Sequence, residues 1–252
     1  MPIFNKTAIG LTVGLLLSAT MNAPAFARAG NIVLVHGAAV DGSGWRGVYD
    51  ILTRDGYNVS IVQQPLTGLD QDLSAVERVL GEQDGDVILV GHSYGGTIIT
   101  AAGDDPKVKA LVYVAALQPD RGESSAKLVQ SMPPPSNDVK PTEDGYLVRD
   151  PEKFFADFGA DLPEHQAVFM AQSQMRLSVA SFTTPVAVAA WHGKPSYGIV
   201  AKNDMTITPN LERWMYKRSS STVTEIDGSH AIYISHAPEV AKVIEHAAEA
   251  AR

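Results

Sequence analysis

The hydrophobic and polar positions of the chain alternate between two kinds of segment. Short aliphatic, β-branched runs recur: NIVLVHG (31–37), YNVSIVQQ (57–64), GDVILVG (85–91), KALVYVAA (109–116), YGIVAKN (197–203) and TVTEID (222–227). Most are apolar at consecutive rather than alternate positions, the pattern of strands buried on both faces of a parallel sheet. Between them the spacing predicts helices near 45–54, 70–83, 94–104 and 209–218, and a last one from about Pro238 to Ala250. Strands alternating with helices predict an α/β fold, with a mostly parallel sheet of about six strands, flanking helices and right-handed crossovers.

The interval from about Asp120 to Lys194 breaks this rhythm. It opens with RGESS, passes through MPPPS and carries helix-like pieces, including DPEKFFADF and LPEHQAVFMAQSQM. A structureless loop of that length is implausible inside a compact domain. The interval is too short and too interrupted by proline to bury a core of its own, so it is expected to be an inserted helical cap. Its apolar side chains Phe154, Phe155, Phe158, Phe169, Met170, Met175 and Phe182, with Trp191 close behind, are expected mainly to pack cap helices on the sheet, because Phe154/Phe158 and Val168/Phe169 have helical core spacing. Some should line a pocket mouth.

The first residues stand apart. Lys6 precedes the apolar run Ala8 to Thr20, and small residues follow at Ala25 and Ala27. That layout predicts a signal peptide over residues 1–27, cleaved after Ala27, and hence an exported protein, periplasmic or secreted. The run is shorter than the ~20 residues of a spanning helix, which argues against a membrane anchor. Residues 28–252 would form one domain, with the cap at about 120–194. The net charge of −8, one unit more negative without Lys6, repels nucleic-acid phosphates and anionic lipid. No cysteine is present, which excludes disulfides, thiolate nucleophiles and cysteine-ligated zinc. HExxH is absent, and the spacing of His230 and His236 does not put two ligands on one helical face. Neither metal nor cofactor is expected.

Candidate chemistry begins at Gly91-His92-Ser93-Tyr94-Gly95, which fits G-x-S-x-G. The strand GDVILV precedes it and the helix-like TIITAAGDD follows. A serine on a tight strand-to-helix turn needs neighbours without bulk, and Gly91, Gly95 and Gly96 provide that. Such a turn exposes Oγ above the sheet and aims the Tyr94 amide at a developing oxyanion. A serine also needs a base. Among the histidines, His230 follows the last strand through Gly228-Ser229, where the carboxyl end of the sheet would deliver its imidazole to Ser93. Asp204, after YGIVAKN, gives the chain order Ser, Asp, His; Asp120, after KALVYVAA, is a rival acid, and Asp227 lies only three residues from His230. In HGAAVDGSGW, the Ala38 N–H could be the second oxyanion donor. Ser43 and Trp45 either line the site or serve as N-cap and core. Gly42-Ser43-Gly44-Trp45-Arg46-Gly47 also satisfies G-x-G-x-x-G, but Ala38 to Asp41 separate it from its strand, and the next strand ends Val62-Gln63-Gln64-Pro65 without the acid that would hold a ribose.

Taken in order, VLVHGAAVDGSGW, VILVGHSYGG, DPKVKALVYVAA, the strand leading to Asp204, and GSHAIYIS resemble the α/β-hydrolase superfamily over nearly all of residues 28–252. The chain is most similar to its small, cofactor-free serine esterase and hydroxynitrile-lyase branch. The resemblance implies Ser93, Asp204 and His230 as a triad and the Ala38 and Tyr94 amides as an oxyanion hole. The lyases of that branch carry a lysine directly after the histidine, to bind departing cyanide; here the position is Ala231. The implied activity is therefore hydrolysis of small to medium, fairly apolar carboxylic esters through an acyl-enzyme. Lactone or carbon–carbon bond hydrolysis by the same residues and a non-catalytic ligand-binding role are the alternatives.

Overall fold

The computed structural model describes residues 1–3 and 30–251. The signal peptide expected over residues 1–27 falls, apart from its first three residues, outside the described residues. The chain runs through β1 (Asn31–Val35), a 3-10 turn (Gly42–Trp45), α1 (Arg46–Arg54), β2 (Asn58–Val62), α2 (Leu69–Gly81), β3 (Val87–His92), α3 (Gly95–Ala102) and β4 (Val108–Val114). There follow α4 (Ser125–Ser131), β5 (Val139–Pro141), β6 (Tyr146–Arg149), α5 (Phe154–Phe158), α6 (Glu164–Gln172), β7 (Leu177–Ser178) and α7 (Val179–Thr183). The chain then returns to the core with β8 (Ser196–Ala201), α8 (Pro209–Arg218), β9 (Thr222–Ile226), α9 (Ile232–Ser235) and α10 (Ala237–Ala250).

Six strands form one parallel sheet in the order β2-β1-β3-β4-β8-β9. Every residue of β1, β3 and β8 is buried, whereas β2 and β9, at the two edges, are largely exposed or half-buried. The strand pleat explains the continuous apolar runs. Val33, Val35, Leu89 and Leu111 pack under α2, α3 and α8, while Ile32, Leu34, Ile88 and Val112 pack under α1 and α10. The strand order reverses between β1 and β3, so the loops leaving those two strands flank the crevice where ligands of open parallel sheets bind.

The segment between β4 and β8 carries four short helices and also a three-stranded antiparallel sheet in the order β5-β6-β7. These strands are two to four residues long, too short for alternation to declare itself, and Pro141 sits where an edge strand tolerates it. Phe154 and Phe158 are buried, as their spacing implies. Val168 and Phe169 are not: on α6 the buried positions are Ala167 and Ala171, and Phe169 is 70% exposed. A helix apolar on more than one face leaves the spacing unable to say which face packs. Trp45 is fully buried and leans on Tyr233, whereas Ser43 is exposed and the N-cap of its turn is Asp41, whose carboxylate accepts the Ser43 N–H at 2.8 Å. Neither residue lines the cavity at Ser93. Among the described residues no helix is long and apolar enough to cross a membrane.

Candidate active site

Ser93 sits one residue past β3 with φ of +54°, a left-handed conformation that costs an L-residue roughly 1–2 kcal/mol. The surrounding contacts impose that turn. The Ser93 N–H donates to Val114 O at 3.2 Å, and its carbonyl accepts from Gly96 N at 3.0 Å and Leu117 N at 3.1 Å. The helix after it lies against β1 and the end of β4 so closely that a Cβ on Gly95 would stand 2.6 Å from His36 O, and one on Gly96 2.2 Å from Leu117 O. The Tyr94 side chain is buried. Its hydroxyl donates to Asp72 at 3.0 Å, and Asp72 also accepts from Leu66 N at 2.7 Å and Ser181 Oγ at 3.2 Å. Burial raises the pKa of both Tyr94 and Asp72.

His230 arrives from the loop after β9, with Nε2 2.8 Å from Ser93 Oγ and Nδ1 2.5 Å from Asp204 Oδ2. Both side chains are completely buried. A carboxylate only accepts, so Nδ1 carries the proton and the Nε2 lone pair is left for the serine hydroxyl. Asp204 is fixed by two further donors, Thr206 N at 2.6 Å and Ile207 N at 2.9 Å. The loops after β8 and β9 are tied together by Asn203 N to Gly228 O at 3.1 Å, which fixes the acid relative to the base. The rival acid Asp120 faces elsewhere: its carboxylate is paired with His192 Nε2 at 2.8 Å on an exposed surface. The structure thus brings Ser93, His230 and Asp204 together and leaves Asp120 out. Asp227 pairs with Lys202 at 2.8 Å.

Several supporting groups are absent from the sequence reading. His92, beside the serine, is fully buried; burial and the neighbouring His230 hold its pKa well below 6.5. Neutral His92 donates Nε2–H to the His230 carbonyl at 3.0 Å and packs against the His230 ring at 4.8 Å. Phe158 meets the His230 ring edge-on at 5.0 Å. The cap also grips the histidine loop through hydrogen bonds: Phe158 O accepts Ala231 N at 3.0 Å and Ser229 Oγ at 3.1 Å, and Asp161 accepts Ser229 N at 2.9 Å.

Behind Asp204 lies Glu212, also fully buried, whose Oε2 accepts Ala201 N at 3.0 Å. The Asp204 carboxyl lies close enough for its charge to act on Glu212, and no protein group reaches Glu212 Oε1 among the described residues. Two carboxyls so close in a dry interior do not both carry a charge at little cost. Burial first, then the Asp204 charge, pushes the pKa of Glu212 well above its usual value, so Glu212 is the neutral acid of the pair. A helix glutamate two strand-ends away from the serine carries no sequence signal for this place.

Ser93, Tyr94 and Ala38 line one cavity of about 200 Å³, shared with Leu117, Val129, Leu147, Leu177 and Phe182 from the core and cap. No protein acceptor takes the Ala38 or the Tyr94 amide among the described residues, whereas the next amide, Ala39 N, is used by Met175 O at 3.1 Å. Two free amides beside a buried serine that borders the cavity can receive an oxyanion. Ala231 is fully buried and offers no cation to the cavity.

Residues 32–243 match the model of the alpha/beta hydrolase family. The chain belongs to that family. Among curated members, it is similar to a methylesterase, Methylesterase 8 of Arabidopsis thaliana, at 23% identity over 83% of this chain and 86% of that protein. A carbendazim hydrolyzing esterase of Nocardioides sp. (strain SG-4G) is 38% identical over a stretch covering 42% of this chain and 49% of its own. Of solved alpha/beta hydrolases, the pyrethroid hydrolase PytH superposes with a TM-score of 0.73 at 24% identity, over 87% of this chain and 97% of that one. That likeness speaks for the fold.

Proposed function

We propose that the protein is a serine esterase acting on small to medium, uncharged carboxylic esters through an acyl-enzyme. One observation carries the reading: Ser93 Oγ, at the edge of a largely apolar cavity, is 2.8 Å from an imidazole whose other nitrogen is 2.5 Å from a buried carboxylate. His230 removes the Ser93 proton as Oγ attacks the ester carbonyl. The oxyanion is received by the Ala38 and Tyr94 amides, and His230, now carrying the proton, gives it to the departing alcohol. Water, deprotonated by His230, then releases the acid. Asp204 holds the imidazole in the productive tautomer and faces the imidazolium when it forms. The names of the relatives, methylesterase and carbendazim hydrolyzing esterase, agree with ester cleavage. The leader read in residues 1–27 makes it an exported enzyme.

The test is hydrolysis of p-nitrophenyl esters from acetate to dodecanoate by the protein and by Ser93→Ala. Serine-dependent turnover with a chain-length optimum is expected, with kcat reduced by several orders of magnitude in the variant. A folded protein without turnover, or a variant of normal rate, overturns the reading and leaves lactone or carbon–carbon hydrolysis, or ligand binding, to be tried.

A further inference from the structure

The cavity at Ser93 is largely apolar, and at one corner Asp138, just before β5, and Arg149, the last residue of β6, form a buried ion pair. Arg149, 8% exposed, places Nη1 2.7 Å from Asp138 Oδ2, and Asp138 is 2% exposed. Ser136 bridges Asp138 and Asp157, its Oγ 2.8 Å from Asp138 Oδ1 and 2.6 Å from Asp157 Oδ2. The guanidinium lies 5.3 Å from the centroid of Phe158, the ring that in turn abuts His230. Arg149 is thus one aromatic ring away from the catalytic histidine.

Asp138 occupies one of the five guanidinium N–H groups, and no other side-chain acceptor for Arg149 exists among the described residues. The other guanidinium N–H groups are not among the enclosed polar atoms without a partner, so solvent reaches them, and Arg149 lines the cavity together with Ser136, Asn137 and Asp138. An oxygen brought in by a bound molecule would satisfy them. The charge balance decides what kind of oxygen. Asp138, paired with the guanidinium, and Asp157, bonded to Ser136, balance Arg149 and the Lys153 ammonium that donates to Asn137 at 2.9 Å, so the corner has no net positive charge to offer, and an anionic group entering it would meet the carboxylates unfavourably. A neutral acceptor gains the hydrogen bond without that repulsion.

We infer that Arg149 is a specificity-determining residue, and that the substrates are esters bearing a second, neutral hydrogen-bond acceptor such as a ketone, ether or amide oxygen a few atoms from the scissile carbonyl. The inference rests on the esterase reading and narrows it. The rest of the lining, Val129, Leu147, Leu177 and Phe182, takes the aliphatic part of such a molecule.

The experiment compares kcat/KM for methyl hexanoate, methyl 4-oxohexanoate, methyl 5-oxohexanoate and the monomethyl ester of adipic acid, each divided by its rate of hydroxide-catalysed hydrolysis. The protein as it exists should prefer at least one keto ester over methyl hexanoate by about five- to tenfold, in the range one recovered hydrogen bond gives. The carboxylate ester should fall below both. In Arg149→Met the ratio of keto ester to plain ester should collapse toward one, whatever happens to the absolute rates. A wild-type ratio near one overturns the inference, as does a ratio that survives in Arg149→Met, since a merely structural ion pair would alter both esters alike. If the variant fails to fold, the wild-type series decides alone. Absence of turnover with every ester would instead fail the esterase reading.

Discussion

Replacing Glu212 by Gln should make the protein more stable, and increasingly so as pH rises. The Glu212 carboxyl accepts Ala201 N at 3.0 Å through Oε2, has no partner at Oε1, and lies close enough to Asp204 for that charge to disfavour its ionisation. A glutamine keeps the observed contact, since its carbonyl takes the Ala201 N–H, and it brings no ionisable group beside Asp204. The difference lies in the proton. In the unfolded chain Glu212 ionises near the ordinary 4.5, whereas burial beside Asp204 keeps it protonated in the folded state well above that. With the folded pKa raised, the favourable contribution is fully present below about pH 4.5 and is lost as pH rises from there through the folded value. Glutamine has no such dependence. The stability difference, Glu212→Gln minus wild type, should therefore grow by about 1.4 kcal/mol per pH unit above 4.5. Between pH 5 and 7 that is at most about 2.7 kcal/mol, or roughly 5–10 °C in Tm for a domain of this size. Urea titrations of both proteins at pH 5, 6 and 7 measure it. Glu212→Leu serves as control, because it leaves the Ala201 N–H without an acceptor and should destabilise. A Gln advantage that stays constant across this range would show that Glu212 is ionised when folded and would refute the neutral buried acid.

Asp204→Asn should lower kcat by about 10³–10⁴-fold, because the amide can stabilise the wrong His230 tautomer, while Asp120→Asn, on the surface with His192, should stay within about threefold; comparable losses in the two would refute the assignment of the acid. Ser93→Gly should be more stable than Ser93→Ala by on the order of 1 kcal/mol, since the residue has φ of +54° and a Cβ is strained there; both should be inactive, and thermal melts showing the alanine form more stable would remove the strain. Gly96→Ala brings its Cβ to 2.2 Å from Leu117 O, so α3 must shift; a cost of about 1–3 kcal/mol and loss of activity are expected, and a Tm equal to wild type would contradict the packing described.

The parts of the site that the sequence made legible are those fixed by local backbone geometry. Glycines around Ser93 mark a turn that tolerates no bulk, and a histidine two residues past a glycine after the final strand has one natural destination in such a sheet. The acid was harder to read, because Asp204 and Asp120 both follow strands; only the adjacency of β8 and β9, a fact of sheet order, puts one of them behind His230. Residues whose importance comes from distant contacts left no trace. Glu212 and Arg149 read as ordinary helix and cap charges, and Phe158 as one apolar position among several. The small cap sheet was invisible for the same reason, since its strands borrow their order from one another.

The grip of the cap on the histidine loop has a consequence for how this scaffold can change. Phe158 and Asp161 hold Ser229 and Ala231 on either side of His230, so this stretch of cap belongs to the frame of the proposed base. A chimera that grafts a foreign cap between β4 and β8 to gain a new specificity would silence its own chemistry unless the graft also carries an aromatic and an acid at these two places. Recombination should therefore be tolerated in the β5–β6 hairpin and resisted from α5 to Asp161, a boundary that a library of cap exchanges would reveal as a sharp edge in the fraction of active clones.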